Sequence, residues 1–163
     1  MDDWSVLAAS KDDLVTTLRQ KKYVDLLPAY DGVSYIEGKA RFADGALIVG
    51  DAPMKVGKVI LAMGAHAAVP PIPGVDGARV YDSTGILSLA ERPKRMVIVG
   101  GGYIGLEFAF MYRAFGTEVT ILDNLDEFLP REDRDIAGEM RRILEARGVK
   151  IQLGVKVERF DNT

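Results

Sequence analysis

Residues 95–123 read RMVIVGGGYIGLEFAFMYRAFGTEVTILD, and the fold of the chain turns on this stretch. Four apolar residues, Met96 to Val99, run into Gly100, Gly102 and Gly105. A helical pattern follows to Phe115, and a second apolar strand, Val119 to Leu122, ends on Asp123. Gly100 permits a tight strand-to-helix turn, Gly102 lets a pyrophosphate approach the backbone, and Gly105 lets helix and strand pack closely. The helix N-terminus offers N–H groups and the positive end of its dipole to phosphates. Asp123 stands about 20 residues beyond the glycines, where a carboxylate accepts the hydroxyls of an adenosine ribose. An isolated GxGxxG says little. Strand, turn, helix, strand and acid in this order predict a nucleotide site.

The pattern continues on both sides. Beyond Asp123, a loop to Pro130 precedes a charged amphipathic helix expected over Glu132 to Arg147, with Ile136, Met140, Ile143 and Leu144 as its apolar stripe. Lys150 to Leu153 and Val155 to Phe160 read as strands. Upstream, VPPIPGVDG (Val69 to Gly77) is too rich in Pro and Gly for regular structure and reads as a stiff crossover. Ser83 or Thr84 is expected to cap a short helix reaching Leu89. Further upstream, a helix is expected from Lys11 to Leu27, and then a β-meander. Its strands are expected at Val33 to Glu37, Ala40 to Phe42, Ala46 to Val49 and Lys58 to Ala62, with a hairpin turn at Asp44-Gly45. The fold class is α/β: a helix and meander, then a βαβαβ unit. That unit is half of a Rossmann-type sheet, since a complete one contains two such halves.

Composition narrows the function. The 163 residues are 48% hydrophobic and 28% charged, as in an ordinary globular domain. A net charge of −3 argues against a nucleic-acid partner. No apolar run approaches the ~18 residues of a membrane span, and no basic and apolar leader opens the chain, so a cytoplasmic protein without a membrane partner is expected. Zero cysteines exclude thiol chemistry and thiolate metal sites within these residues. One histidine, His66, supports no metal cluster and is expected to be solvated.

Several segments together resemble the FAD-dependent pyridine nucleotide–disulfide oxidoreductases of class I. They are EGKARF (Glu37 to Phe42), VILAMGAHAAVPPIPGVDG (Val59 to Gly77), YDSTGILSL (Tyr81 to Leu89), RMVIVGGGYIGLEFA (Arg95 to Ala109) and FLPREDRDI (Phe128 to Ile136). The mercuric reductase and dihydrolipoamide dehydrogenase branch is the most similar. The resemblance implies FAD and NAD as cofactors. It implies a partial FAD-binding domain over residues 1–92 and the N-terminal half of an NAD(P)-binding domain over 93–163. It places Ala62 and Gly64 of LAMGA against the flavin cofactor and Ala40 against its adenine; Met63 stands where the family usually has Thr. Gly100, Gly102, Tyr103, Ile104 and Gly105 match the NAD(P)H pyrophosphate loop. Tyr103 matches an aromatic gate over the flavin, and Glu107 an acid near it. Glu107 is also expected on the first turn of the helix, where a carboxylate favours the dipole.

The resemblance also implies what these residues do not supply. The family's first FAD motif and its CxxxxC pair would precede Met1, and its dimerisation domain would follow Thr163. The chain is therefore expected to be a central segment with no catalytic residue of its own. Asp123, Asp126 and Glu127 would repel a 2′-phosphate, which favours NAD over NADP, with Arg131 and Arg134 as the opposing charges. Two alternatives stay open. One is a flavoprotein without a disulfide step, of the NADH oxidase or ferredoxin reductase kind. The other is a free-standing nucleotide-binding module. Open strand edges predict a homo-oligomer.

Overall fold

A computed structural model describes residues 4–77 and 79–161. The outermost residues of both expected domains, 1–3 and 162–163, lie outside the described residues, as does Ala78. The chain divides into two compact units, Met1–His66 and Ala67–Thr163.

The first unit opens with α1 (Trp4–Arg19), which widens into a π-helical turn at Gln20–Val24 and closes in a 3-10 turn at Leu27–Ala29. The helix begins seven residues before the expected Lys11, because Ala8 and Ala9 carry helix propensity without adding to a charged pattern. At its far end the Asp25 N–H reaches back five residues to the Gln20 carbonyl at 2.9 Å, and Pro28 forbids continuation.

Strands β1 (Ala40–Ala43), β2 (Ala46–Val49) and β3 (Ala52–Met54) form an antiparallel meander in that order. Asp44 and Gly45 both take positive φ, 50° and 76°, the pairing that turns a hairpin in two residues. The outer strands of the expected meander are corrected. Val33 to Glu37 and Lys58 to Ala62 are irregular and exposed. Their β-favouring side chains find no ladder neighbour, and propensity without a partner does not make a strand. The short β3 is invisible to propensity because Pro53 sits inside it, on an edge strand where a missing N–H is tolerated.

The second unit is a parallel sheet, β4 (Arg95–Val99), β5 (Glu118–Leu122) and β6 (Lys150–Gln152), in the order β4-β5-β6. Helix α2 (Tyr103–Ala114) links β4 to β5, and α3 (Arg134–Ala146) links β5 to β6. The core lies under the helices: Leu106, Ala109 and Tyr112 of α2, Val119 and Ile121 of β5, and Ala137 and Leu144 of α3 are buried. Of the stripe expected on α3, Leu144 is buried and Met140 and Ile143 are half-buried, whereas Ile136 is exposed and Ala137 enters the core in its place. Val155 to Phe160 is no strand. Its backbone bonds go to irregular segments instead, Val155 N–H to Asp123 at 2.8 Å and Phe160 N–H to Pro73 at 2.8 Å. Before β4, a 3-10 turn at Gly85–Ser88 is capped by Asp82 rather than Ser83 or Thr84. The Asp82 Oδ1 accepts from Thr84 N–H at 3.0 Å and Gly85 N–H at 2.7 Å.

Candidate functional site: the glycine turn of the parallel sheet

The turn between β4 and α2 has the geometry its glycines permit. Gly100 lies at φ 105°, where any side chain is strained, and its N–H donates to the Leu122 carbonyl at 2.8 Å. Gly102 caps α2, and a Cβ there would meet nothing within 4 Å, so this face of the turn is open to a ligand. At Gly105 a Cβ would fall 2.4 Å from the Gly100 carbonyl oxygen and 3.2 Å from Ile98 Cγ2. Helix and strand approach too closely there for any side chain. The first helical bond runs from Leu106 N–H to the Gly102 carbonyl at 3.0 Å. The N–H groups of Tyr103, Ile104 and Gly105 therefore have no acceptor within the helix and form the positive end of its dipole.

Asp123 stands half-buried just beyond β5. Its Oδ2 accepts from Gly101 N–H at 2.7 Å and its Oδ1 from Leu125 N–H at 3.0 Å. A carboxylate has about four acceptor positions, so both oxygens keep capacity for further donors. Gly101 is a site residue that the GxGxxG reading passes over. A Cβ on it would stand 2.9 Å from Asp123 Oδ2, and the available signal is the unbroken run Gly100-Gly101-Gly102.

Tyr103 and Ile104 project into solvent, 63% and 61% exposed. The Tyr103 hydroxyl donates to Glu132 Oε1. That hydrogen bond, and then the Glu132 charge, hold the phenol pKa above the ordinary tyrosine value, while Arg131 pulls the other way. Glu107 is on the second turn of α2, exposed, and beyond the reach at which a carboxylate serves the helix N-terminus. In the first unit, Ala40 begins β1, opposite Val49, and Ala62 and Gly64 lie on an exposed irregular segment with Gly64 at φ 70°. The structure thus brings together Gly100, Gly102, Tyr103, Ile104, Gly105 and Asp123 in one turn, with Glu107 farther along the helix.

The loop after Asp123 is organised by Arg134, the first residue of α3. Its guanidinium donates to Glu127 Oε1 at 2.6 Å and to the carbonyls of Phe128, Leu129 and Glu132, at 2.6 Å for the last. Arginine in the first turn of a helix opposes the dipole, and that misplacement is the available signal of another duty. Two shallow cavities lie elsewhere, about 300 Å³ beside Arg113, Ala114 and Arg147, and about 240 Å³ beside Phe128 and Arg134. Neither includes the glycine turn, whose exposed face is marked instead by the open space around Gly102. No helix among the described residues is long and apolar enough to cross a membrane.

A glycine turn on a parallel sheet with an acid at the next strand end defines a dinucleotide-binding class of protein, and the comparisons give the family. Residues 4–163 match the family model described as pyridine nucleotide-disulphide oxidoreductase, and the chain belongs to that family. It is 42% identical over 158 residues to the probable pyridine nucleotide-disulfide oxidoreductase RclA of Escherichia coli K12, an alignment covering 93% of this chain and 36% of that protein. It is 31% identical to a mercuric reductase of Lysinibacillus sphaericus, covering 99% of this chain and 30% of the relative. A solved Cu(II) complex of the E. coli HOCl-induced flavoprotein disulfide reductase RclA, with one cysteine replaced by serine, superposes with a TM-score of 0.89 at 40% identity, over 99% of this chain and 38% of that one. The water-forming NADH oxidase of Lactobacillus brevis bound to NADH superposes with a TM-score of 0.61 at 28% identity, over 74% of this chain and 27% of that one. The chain thus spans about a third of the length of these relatives. The family is one of flavin enzymes that use a pyridine nucleotide, and the α/β class with a Rossmann-like parallel half is that of its solved members.

Proposed function

We propose that this chain seats the pyridine nucleotide of an FAD-dependent disulfide oxidoreductase and prefers NAD to NADP. The observation that carries the reading is Asp123, held against the glycine turn by Gly101 N–H with lone pairs to spare for a ribose. Gly100, Gly102, Tyr103, Ile104 and Gly105 would receive the pyrophosphate, with Glu107 farther along α2. Ala40, Ala62 and Gly64 would meet FAD, which when bound takes hydride from nicotinamide and passes electrons onward. The NAD preference rests on Asp123, Asp126 and Glu127, and on Arg134 being occupied by its own loop. With no cysteine, these 163 residues do not themselves perform a disulfide step.

The functional division proposed is residues 1–92 for FAD and 93–163 for the nicotinamide dinucleotide. The crossover nevertheless folds with the second unit, through Phe160 N–H to the Pro73 carbonyl at 2.8 Å and the Tyr112 hydroxyl to the Ile86 carbonyl at 2.8 Å. A cytoplasmic homo-oligomer belongs to the same proposal, supported by β4, which is paired on one side only. The likeness to the water-forming NADH oxidase favours, as second reading, a flavoprotein without a disulfide step.

Titration calorimetry with NADH, NADPH and FAD tests the reading. Micromolar NADH binding is expected, with NADPH weaker. Asp123→Ala is expected to weaken NADH about tenfold or more, two ribose hydrogen bonds at roughly 0.5–1.5 kcal/mol each being lost. Equal affinity for NADPH overturns the cofactor preference, and no binding of either overturns the nucleotide role.

A further inference from the structure

We propose that the cavity between the C-terminal ends of α2 and α3 is a seat for a small oxyanion with two charges, a phosphate group or a dicarboxylate. The proposal stands apart from the dinucleotide reading. Helix α2 is 12 residues long, which puts this seat about 18 Å from the glycine turn, at the opposite end of the helix.

The two helices close in the same way. α2 ends at Phe115 and Gly116, α3 at Arg147 and Gly148, and the glycines take φ 88° and 84°. Thr117 N–H then donates to the Tyr112 carbonyl at 3.0 Å, and Val149 N–H to the Leu144 carbonyl at 3.1 Å. Each helix thus satisfies end carbonyls from its own backbone. Arg113 ties the two ends together. Its Nε donates to the Arg147 carbonyl at 2.7 Å and its Nη1 to the Thr117 carbonyl at 3.4 Å. Arg92 reaches the same threonine, Nη1 donating to the hydroxyl at 3.3 Å. The approach is close enough that a Cβ on Gly148 would stand 3.0 Å from Arg113 Nη2.

An arginine at a helix C-terminus ordinarily answers the dipole. Each end is worth about half a negative charge, so two ends balance about one guanidinium. Arg92, Arg113 and Arg147 gather here, and among the described residues none of them is within ion-pair distance of a carboxylate. Arg134, Arg141, Arg142 and Arg159 each have such a partner. About two positive charges are therefore left unbalanced. Donors are left over as well. The Arg147 Cζ lies 5.0 Å from the centre of the Phe110 ring, a stack that holds the guanidinium by its face and leaves its N–H edge free. Among the described residues that edge donates to nothing, and Arg113 spends only Nε and Nη1. These two side chains line a cavity of about 300 Å³ with Ala114. Guanidinium edges take carboxylate or phosphate oxygens in parallel pairs of charged hydrogen bonds, and a doubly charged oxyanion supplies the balance that the helix ends do not.

The test titrates the full 163-residue chain, nitrogen-labelled for amide NMR, with sodium phosphate, succinate and acetate, the ionic strength held constant with chloride. Phosphate or succinate is expected to move the Gly116, Thr117, Gly148 and Val149 amide signals to saturation. Acetate, with one charge, should bind about tenfold more weakly or worse. Phosphate tighter than succinate assigns the seat to a phosphate group, and the reverse order to a dicarboxylate. Arg147→Gln is expected to weaken the tighter dianion about tenfold or more, the loss of a charged hydrogen bond. Arg147→Lys keeps the charge without the planar fork and should fall between. The β5 amide signals staying in place in both variants controls for folding. A Gly148 response that Arg147→Gln leaves unchanged overturns the proposal, as does one that acetate and chloride produce equally, which is an unselective ion atmosphere. Phosphate that moves Gly102 to Ile104 but not Gly148 binds at the glycine turn and also overturns it, and so does failure of both dianions to saturate.

Discussion

Ile60 and Ile121 are the same residue in strings of similar character, KVILA and VTIL, yet one is 92% exposed and the other fully buried. Ile121 lies on β5, which is flanked on both sides by β4 and β6 and covered by α2. Its backbone groups are spent in two ladders, and its side chain is removed from water by a helix. Residues 58–62 have no ladder neighbour among the described residues, and so their apolar side chains have no layer to enter. The difference extends to the units: every buried side chain among the described residues lies at Leu106 or beyond. Strand-forming sequence supplies a candidate, and a neighbouring strand plus a covering helix make it a core.

The largest expected effect breaks or confirms that contrast. Ile121→Ala removes a side chain with no exposed surface and is expected to cost about 2–5 kcal/mol in urea unfolding. Ile60→Ala, by the same measurement, is expected to stay within about 0.5 kcal/mol. Equal costs at the two positions would show that residues 58–62 are buried in solution and would end the comparison. A smaller effect sharpens it inside the second unit. Gly105→Ala drives a Cβ to 2.4 Å from the Gly100 oxygen, a backbone atom that cannot swing aside. It is expected to cost about 1–3 kcal/mol by overpacking, despite the helix propensity that Ala adds. NADH affinity should fall with it, because the turn must shift to make room. A stable variant with unchanged NADH binding would show that the close approach of α2 to β4 is not needed to shape the seat.

How far the sequence is readable follows the same division. Residues 95–123 are legible to within a residue or two, because each glycine answers a separate geometric demand and the unbroken apolar runs Met96 to Val99 and Val119 to Leu122 bracket a helical pattern. The meander is half legible. Ala46 to Val49 and the Asp44-Gly45 turn are local features, whereas Val33 to Glu37 depends on a partner that local pattern cannot name. In the site, Gly101 and Glu132 escape the sequence for different reasons. Gly101 is small because Asp123 presses on it, a contact across 22 residues. Glu132 meets the turn through the Tyr103 hydroxyl, 29 residues away in chain order, and nothing nearby in sequence marks it. Arg134 is the readable exception, as a cation at the wrong end of a helix.

The smallest expected effect asks whether the first unit, with no buried side chain among its described residues, still owns one local determinant. Gly45 sits at φ 76° in a two-residue turn, and a Cβ there would touch nothing within 4 Å. Gly45→Ala therefore carries no steric clash and isolates the backbone penalty alone, about 1–2 kcal/mol for a left-handed alanine. Asp44 already tolerates φ 50°, as short polar side chains do, so the turn's remaining freedom is in the glycine. In amide hydrogen exchange the substitution should lower protection of the β1 and β2 amides about 5- to 30-fold, by the conversion of 1.4 kcal/mol to tenfold. The β5 and β6 amides should not change, since their protection comes from the buried face around Ile121. Unchanged protection at β1 and β2 would mean that contacts away from the turn hold the hairpin, and the exposed unit would then need a source of cohesion beyond its own register.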